Sequence, residues 1–432
     1  MPDVNINVHH ITRLEGHGNI VVNTKNGEIE ELRLEIVESP RFFEAMLRGR
    51  KWDEATHITC RICGICSCGH TTASLNALEN WAGIEPSSQT KKLRKLLFNG
   101  EQIQSHVLHV LYLAAPDFLG VGSVIPLIET HKEVVLIALR LKRLGNDLCC
   151  LVGGRHVHPI AAAVNGFTKL PKLADLVALR PRLEAARADL AAVVGVLQTL
   201  TLPQFERETE YVALNQTEGN GEYPWQWGDS ILSSEAGLIP LEEYRSVTNE
   251  YLVDHSVAKH TKHKRDSYMV GALSRVNLHY DKLHPAAKQV AEALGLSVPT
   301  HNPFMINLAQ VVETVHAVAH SLQMIDELEA AGLREEDRSV PVKAGTGIGA
   351  ADVPRGILFH EYSMDETGTL TGSNLVIPTG QNLANIENDM RALVPQILDR
   401  PQEEVRHLCE MLVRAYDPCI SCATHALEVD FI

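Results

Sequence analysis

Four cysteines crowd into Cys60-Arg-Ile-Cys-Gly-Ile-Cys-Ser-Cys68, and a second pair lies near the other end of the chain, in Asp417-Pro-Cys-Ile-Ser-Cys-Ala-Thr-His425. Nine cysteines scattered over 432 residues would give only about 0.2 Cys-x-x-Cys pairs by chance. The pairs Cys60/Cys63, Cys63/Cys66 and Cys419/Cys422 are all present, so the spacing is selected. Thiolates are soft ligands that suit zinc, copper(I), iron–sulfur clusters or nickel. A local zinc knuckle brings its second pair within about 20 residues of its first, whereas here most of the chain intervenes. Three readings stay open on spacing alone: one shared metal site assembled by the whole fold, separate structural zinc features, or redox cysteines. Spacing does not choose which of Cys60, Cys63, Cys66 and Cys68 would bind.

Composition narrows the setting. Hydrophobic residues make up 45% and charged residues 22%, the balance of a globular chain with a sizeable core. The net charge of −15 argues against nucleic acid or an anionic membrane surface as partner. No basic-then-apolar leader and no apolar run of about 18 residues is visible, so a cytoplasmic protein without membrane insertion is expected. In such a reducing compartment clustered cysteines favour metal or redox chemistry over disulfides.

Alternation of apolar and polar residues over 19–23 and 31–37, around Asn26-Gly27, predicts a hairpin. Residues 41–50 read as a short helix stopped by Gly49, with the next helix beginning near His70. Three- and four-residue apolar spacing predicts helices over 89–113, 126–152, 174–200, 284–294, 305–333, 384–398 and 402–416. Residues 203–240 read as an irregular insertion, and 259–265 as a solvated basic run. The glycines of Gly345-Thr-Gly-Ile-Gly-Ala350 do not fit a dinucleotide loop, because Pro354 follows before a helix can open. The expectation is a single domain over 1–432, mainly α (α+β): a long helical bundle core with a small N-terminal β portion.

The segments Arg61-Ile-Cys63-Gly-Ile-Cys66-Ser-Cys-Gly-His70 and Asp417-Pro-Cys419-Ile-Ser-Cys422-Ala-Thr-His425 closely resemble the two signatures of the nickel–iron hydrogenase large subunit. Further segments resemble that family too, among them 11–17, 41–50, 106–117, 153–159, 271–277, 354–360 and 377–382, so the likeness spans nearly the whole chain. The wording at 378–382 is similar to the cytoplasmic multimeric branch. The resemblance implies a catalytic subunit that interconverts dihydrogen with two protons and two electrons. It implies Cys63 and Cys419 as terminal ligands of nickel, and Cys66 and Cys422 as bridges to an iron carrying carbon monoxide and cyanide. Cys60, Cys68, Cys149, Cys150 and Cys409 would be bystanders.

Other roles follow from the same resemblance. Glu44 and His425 match ligands of a buried magnesium. Glu15 matches a proton relay, and a carboxylate desolvated beside thiolates would sit high enough to exchange protons near neutral pH; pairing with Arg13 in a turn is the plainer alternative. Arg355 matches a guanidinium above the open metal position, with Asp117 and Asp417 as its expected carboxylate partners. Pro378 and Thr379 match the segment that hydrogen-bonds a cyanide, and His158 a residue facing the partner's nearest cluster. No further cysteine set could carry a cluster chain, so electrons would leave through a small subunit bearing iron–sulfur clusters. Additional electron-transfer subunits, linked to NAD(P), ferredoxin or heterodisulfide, are expected beyond it. Family precursors also carry a tail that is cut after the last histidine, which here would be residues 426–432. The related quinone-site subunit of respiratory complex I lacks the four cysteines, and a zinc-stabilised scaffold is the remaining alternative.

Overall fold

The computed structural model describes residues 3–217 and 221–425, so the stretch after His425 lies outside the described residues. At the centre the helix Ser88–Val107 is packed between Lys132–Gly153 and Ile306–Ala331. Ile306–Ala331 is buried on nearly every face through Ile325, and its buried polar residues, Gln310 and Glu313 among them, are hydrogen-bonded. Two glycines set the closest crossing. A Cβ at Gly100 would lie 2.9 Å from the carbonyl oxygen of Gly145, and one at Gly145 would lie 2.7 Å from that of Gly100. The Ser87 hydroxyl caps the central helix by accepting the Thr90 N–H at 3.0 Å. Past Val107 the helix widens into a π-helical turn, Leu108–Ala114, before its last turn at Ala115–Phe118.

The hairpin Gly18–Lys25/Glu28–Ile36 forms as expected, with Asn26 and Gly27 at φ 53° and 82°, the left-handed pair that a two-residue turn requires. Asn5–Val8 adds on one side and Ser256–His260 then Tyr251–Val253 on the other, giving five strands that pack on the helix Pro378–Ile397.

β structure is not confined to the front of the chain. The stretch read as irregular contains Glu210–Asn215, Ser230–Ser233 and Gly237–Pro240, which join Tyr268–Met269 in a four-stranded sheet. Glu210–Asn215 is buried on both faces, so it lacks the alternation that marks a half-exposed strand. The glycine-rich 345–350 stretch opens another strand, Gly345–Val353, in a sheet with Gly356–Met364 and Leu370–Val376. Its glycines let it lie against the helix Ser67–Ala82: a Cβ at Gly349 would come within 2.1 Å of the Ala77 nitrogen. The supposed solvated run at 259–265 is also different, because its first two residues end a strand and His260 and Thr261 are buried. Among the described residues no helix is long and apolar enough to cross a membrane.

Candidate metal centre

Cys63 follows a tight 3-10 turn at Cys60–Ile62, and Cys66 stands at the start of Ser67–Ala82, three residues earlier than the expected helix start. The turn between them aims the N–H groups of Ile65 and Cys66 at Cys63 Sγ, both at 3.2 Å. Glu101, on the central helix, accepts the N–H groups of Cys68 (2.6 Å) and Gly69 (2.9 Å), satisfying donors that a helix start leaves free. At the other end, Cys419 precedes the single turn Ile420–Ala423, which carries Cys422.

The four sulfurs converge. Cys63 and Cys419 are 3.4 Å apart, Cys66 and Cys422 3.7 Å, and Cys419 and Cys422 2.8 Å; all four lie within 4.8 Å of one another and are buried. None is disulfide-bonded, and the separations exceed the ~2.05 Å of an S–S bond. Cys60 instead turns its thiol to the His57 carbonyl, and Cys149 faces the Leu97 carbonyl. Hydrogen bonds from Cys419, Cys422 and Cys66 hold the Cys63 thiol well below its usual range, while burial pushes Cys422 well above it. Four thiolates cannot share so small and dry a volume without a compensating cation. The donor set therefore fits a multiply charged soft metal.

Arg355 supplies a fixed positive charge close enough to act on these thiols. The hairpin between Gly345–Val353 and Gly356–Met364 turns on just Pro354 and Arg355, since Val353 pairs with Gly356. Arg355 Nε donates to the Asp417 carbonyl oxygen (2.7 Å), Nη2 to Asp417 Oδ1 (2.9 Å) and Nη1 to Ser105 Oγ (3.1 Å). Burial opposes the charge; Asp417 and the thiolates of Cys419, Cys66 and Cys63 outweigh that cost. Asp417 itself sits at φ 51°, a strained position for a non-glycine residue, and its carboxylate takes a further hydrogen bond from Gln310 Nε2 (3.1 Å).

Asp117 is not a partner of this guanidinium. Its carboxylate accepts from Arg13 and from Arg414 Nε (3.0 Å) instead. Ser105 already occupies the face toward Arg355, and Asp117 lies twelve residues further along the helix, about three turns away. The same pairing removes the alternative for Glu15, because Arg13 is engaged with Asp117 and the Leu113 carbonyl.

Glu15 lies beside the C-terminal cysteines. Its backbone forms a parallel bridge with Cys419, its carbonyl accepts the Ile420 N–H (3.0 Å), and its Oε2 accepts the Ser421 N–H (3.1 Å). Gly16, at φ 87°, permits this approach; a Cβ there would lie 2.7 Å from Ile420 Cβ. Thr379, in the first turn of Pro378–Ile397, accepts the Cys419 N–H at 2.9 Å. Glu44 is half-buried, accepts the Leu375 N–H (2.8 Å), and has its carboxyl raised by burial. The ring of its neighbour Phe43 is 6.3 Å from that of His425. His425 is buried with neither ring nitrogen hydrogen-bonded, and burial lowers it to about 3. His158 leans on the cysteine loop, its Nδ1 2.8 Å from the Cys60 carbonyl oxygen.

Some supporting residues escaped the sequence reading. Arg41 spans both cysteine segments, donating to the carbonyls of Ile62 and Ser421. Arg275 is fully buried; it pairs with Glu313 (2.6 Å) and Asp352 (2.5 Å) and donates to the carbonyls of Val353 (2.8 Å) and Pro354 (3.2 Å). It thereby holds the turn that presents Arg355. It lies in the family-like segment 271–277, and its own signal there is a charge inside the apolar run Met269-Val-Gly-Ala-Leu-Ser-Arg-Val276. Glu101, whose carboxyl burial raises to about 8, likewise sits in a buried helix face.

Residues 41–135 and 226–425 match the nickel-dependent hydrogenase family. The alpha chain of sulfhydrogenase 1 from Pyrococcus furiosus is 34% identical, with 98% of each chain covered. A chain of the F420-non-reducing hydrogenase of Methanothermobacter marburgensis is 29% identical over 98% of this chain and 95% of its own. Among solved structures, an NAD+-reducing [NiFe]-hydrogenase in the H2-reduced state superposes with a TM-score of 0.86 at 25% identity, covering 98% of this chain and 99% of that one. A Ni-Fe-Se hydrogenase from D. vulgaris Hildenborough shares the fold, with a TM-score of 0.80 at 23% identity and 98% and 100% coverage. Alike over nearly its whole length in sequence and in fold, the chain belongs to the nickel-dependent hydrogenase family, as the catalytic component of an oxidoreductase acting on H2.

Proposed function

We propose that Cys63, Cys66, Cys419 and Cys422 hold a nickel–iron centre, with Cys63 and Cys419 terminal on nickel and Cys66 and Cys422 shared with an iron that carries carbon monoxide and cyanide. The convergence of four buried, unpaired thiols from opposite ends of the chain carries this assignment. When bound, such a centre supplies the site at which dihydrogen is split heterolytically and two electrons are taken up or given back.

The protein's own part is to position, polarise and move protons. Arg355 is always charged and its fork is fixed by Asp417, so it presents an unmoving positive charge beside the thiolates. Glu15 holds its carboxylate against the cysteine turn and is the group we assign to carry protons between the thiolates and solvent. Thr379 and Pro378 form the helix start behind Cys419; the Thr379 oxygen accepts the Cys419 N–H, and its own proton would be the donor to a cyanide of the bound iron. Glu44 and His425 would supply a carboxylate and an imidazole to magnesium, the rest of whose shell would be carbonyls and water. The ring nitrogens of His425, unpaired and neutral, suit that use.

Residues 1–432 act as one domain in a cytoplasmic complex, passing electrons to a small subunit with iron–sulfur clusters and to further carriers beyond it. Both relatives are named as single subunits of larger hydrogenases, which supports an assembly of several chains.

Glu15→Gln tests the proton assignment. Nickel and iron content should stay at wild-type levels while H2 oxidation and H/D exchange fall roughly 10²–10⁴-fold, the span of a lost general acid–base group. Exchange at the wild-type rate would place the relay elsewhere.

A further inference from the structure

The strand Ser256–His260 ends on a histidine that the hydrogenase site does not use. His260 is 2% exposed, and neither of its ring nitrogens has a hydrogen-bond partner. Beside it stand His255, in the turn that leads into the same strand, and Glu387, on the helix Pro378–Ile397. One ligand atom from each of the three lies within 4.8 Å of the other two. Burial lowers the His260 imidazole from its usual value, so the ring is neutral and keeps a lone pair to give. A neutral imidazole carries one N–H and one lone pair, and both are left unsatisfied in the core here.

We propose that His255, His260 and Glu387 form a second metal site, for a zinc-class divalent cation, distinct from the four-cysteine centre. Two imidazoles and one carboxylate are a recognised zinc donor set, with a fourth position left for water. Bonds of about 2.0–2.2 Å place tetrahedral ligand atoms about 3.4 Å apart, so the three side chains need to draw in by little more than about 1 Å. His255 Nε2 now lies 2.8 Å from Glu387 Oε1; a switch of its proton to Nδ1 frees Nε2 for the ion. The Leu34 N–H, 2.9 Å from Glu387 Oε1, then fixes the ligating carboxylate from outside, as metal ligands commonly require. Arg391, 3.9 Å from Glu387 Oε2 and half-exposed, is the competing cation, and its guanidinium is held instead by the Leu32 carbonyl at 3.2 Å. Access is from the His255 side, which is 17% exposed. The ion would staple the N-terminal sheet to the same helix whose first turn supports Cys419.

This second site stands whichever residues serve the nickel–iron centre, and it is tested on the purified hydrogenase complex. After dialysis against chelator-buffered zinc, zinc per chain is measured beside nickel and iron, with X-ray absorption at the zinc edge. One zinc per chain is expected, with nitrogen and oxygen neighbours at about 2.0–2.1 Å and no sulfur at about 2.3 Å. His255→Gln and His260→Gln should each lower zinc occupancy at least tenfold while nickel and iron are unchanged. If His260→Gln fails to fold, the partly exposed His255→Gln carries the comparison. Absence of bound zinc, zinc bound by sulfur, or zinc untouched by His255→Gln would overturn the proposal.

Discussion

The Cys63–Cys66 arm and the Cys419–Cys422 arm share one spacing and are held by opposite means. The first is organised largely by its own neighbourhood: the 60–66 turn points its own N–H groups at Cys63, and Cys66 leads into a helix of sixteen residues, with Glu101 and Arg41 bracing it from outside. The second ends in a helix of only four residues, too short to sustain itself. It is fixed from outside by Glu15, Thr379, Arg41 and the Asp417–Arg355 pair. One half of the centre thus takes much of its shape from local sequence, and the other exists only once distant elements have docked. The N-terminal arm should tolerate loss of a tertiary contact better than the C-terminal one.

The largest expected effect treats the arms alike. Cys63→Ser and Cys419→Ser should each drop nickel to less than about a tenth of wild type and abolish turnover, because a hydroxyl is a poor ligand for a soft metal. Nickel retained in either variant would separate the arms and remove that cysteine from the ligand set. Next comes Arg355→Lys, which keeps the charge and loses the fork that grips Asp417. Turnover should fall by about 10²–10³-fold with both metals present, the loss typical of one preorganised donor; near-normal kcat would mean that charge alone suffices.

Thr379→Val sharpens the contrast itself. It leaves the Cys419 N–H buried without an acceptor, a cost of about 1–3 kcal/mol that should appear as a lower Tm and reduced nickel occupancy. Cys68→Ala in the self-supporting arm should do least. Cys68 is buried but outside the four-sulfur cluster, so nickel content and turnover should stay within about twofold of wild type. A larger loss than from Thr379→Val would reverse the ranking of the arms.

Much of this was legible in the sequence for a physical reason. Helix periodicity is local, and so is Cys-x-x-Cys spacing, so both the bundle and the paired cysteines could be read. What escaped depends on contact between distant segments. Glu210–Asn215 hides as a strand because both faces are buried, and Gly345–Val353 reads as a loop because its glycines serve contact with a helix. Asp117 has the residue type for Arg355, but helical rise puts it with Arg13 and Arg414. Arg275 and Arg41 act on backbone carbonyls, and no spacing rule announces such targets.

The account rests on both arms closing around one nickel–iron centre, and metal analysis of the purified complex with X-ray absorption at the nickel edge tests this most directly. Nickel should be present at one per chain with sulfur neighbours and an adjacent iron, and infrared bands of cyanide and carbon monoxide should accompany it. Zinc alone bound to the four cysteines, with neither nickel nor those bands, would contradict it.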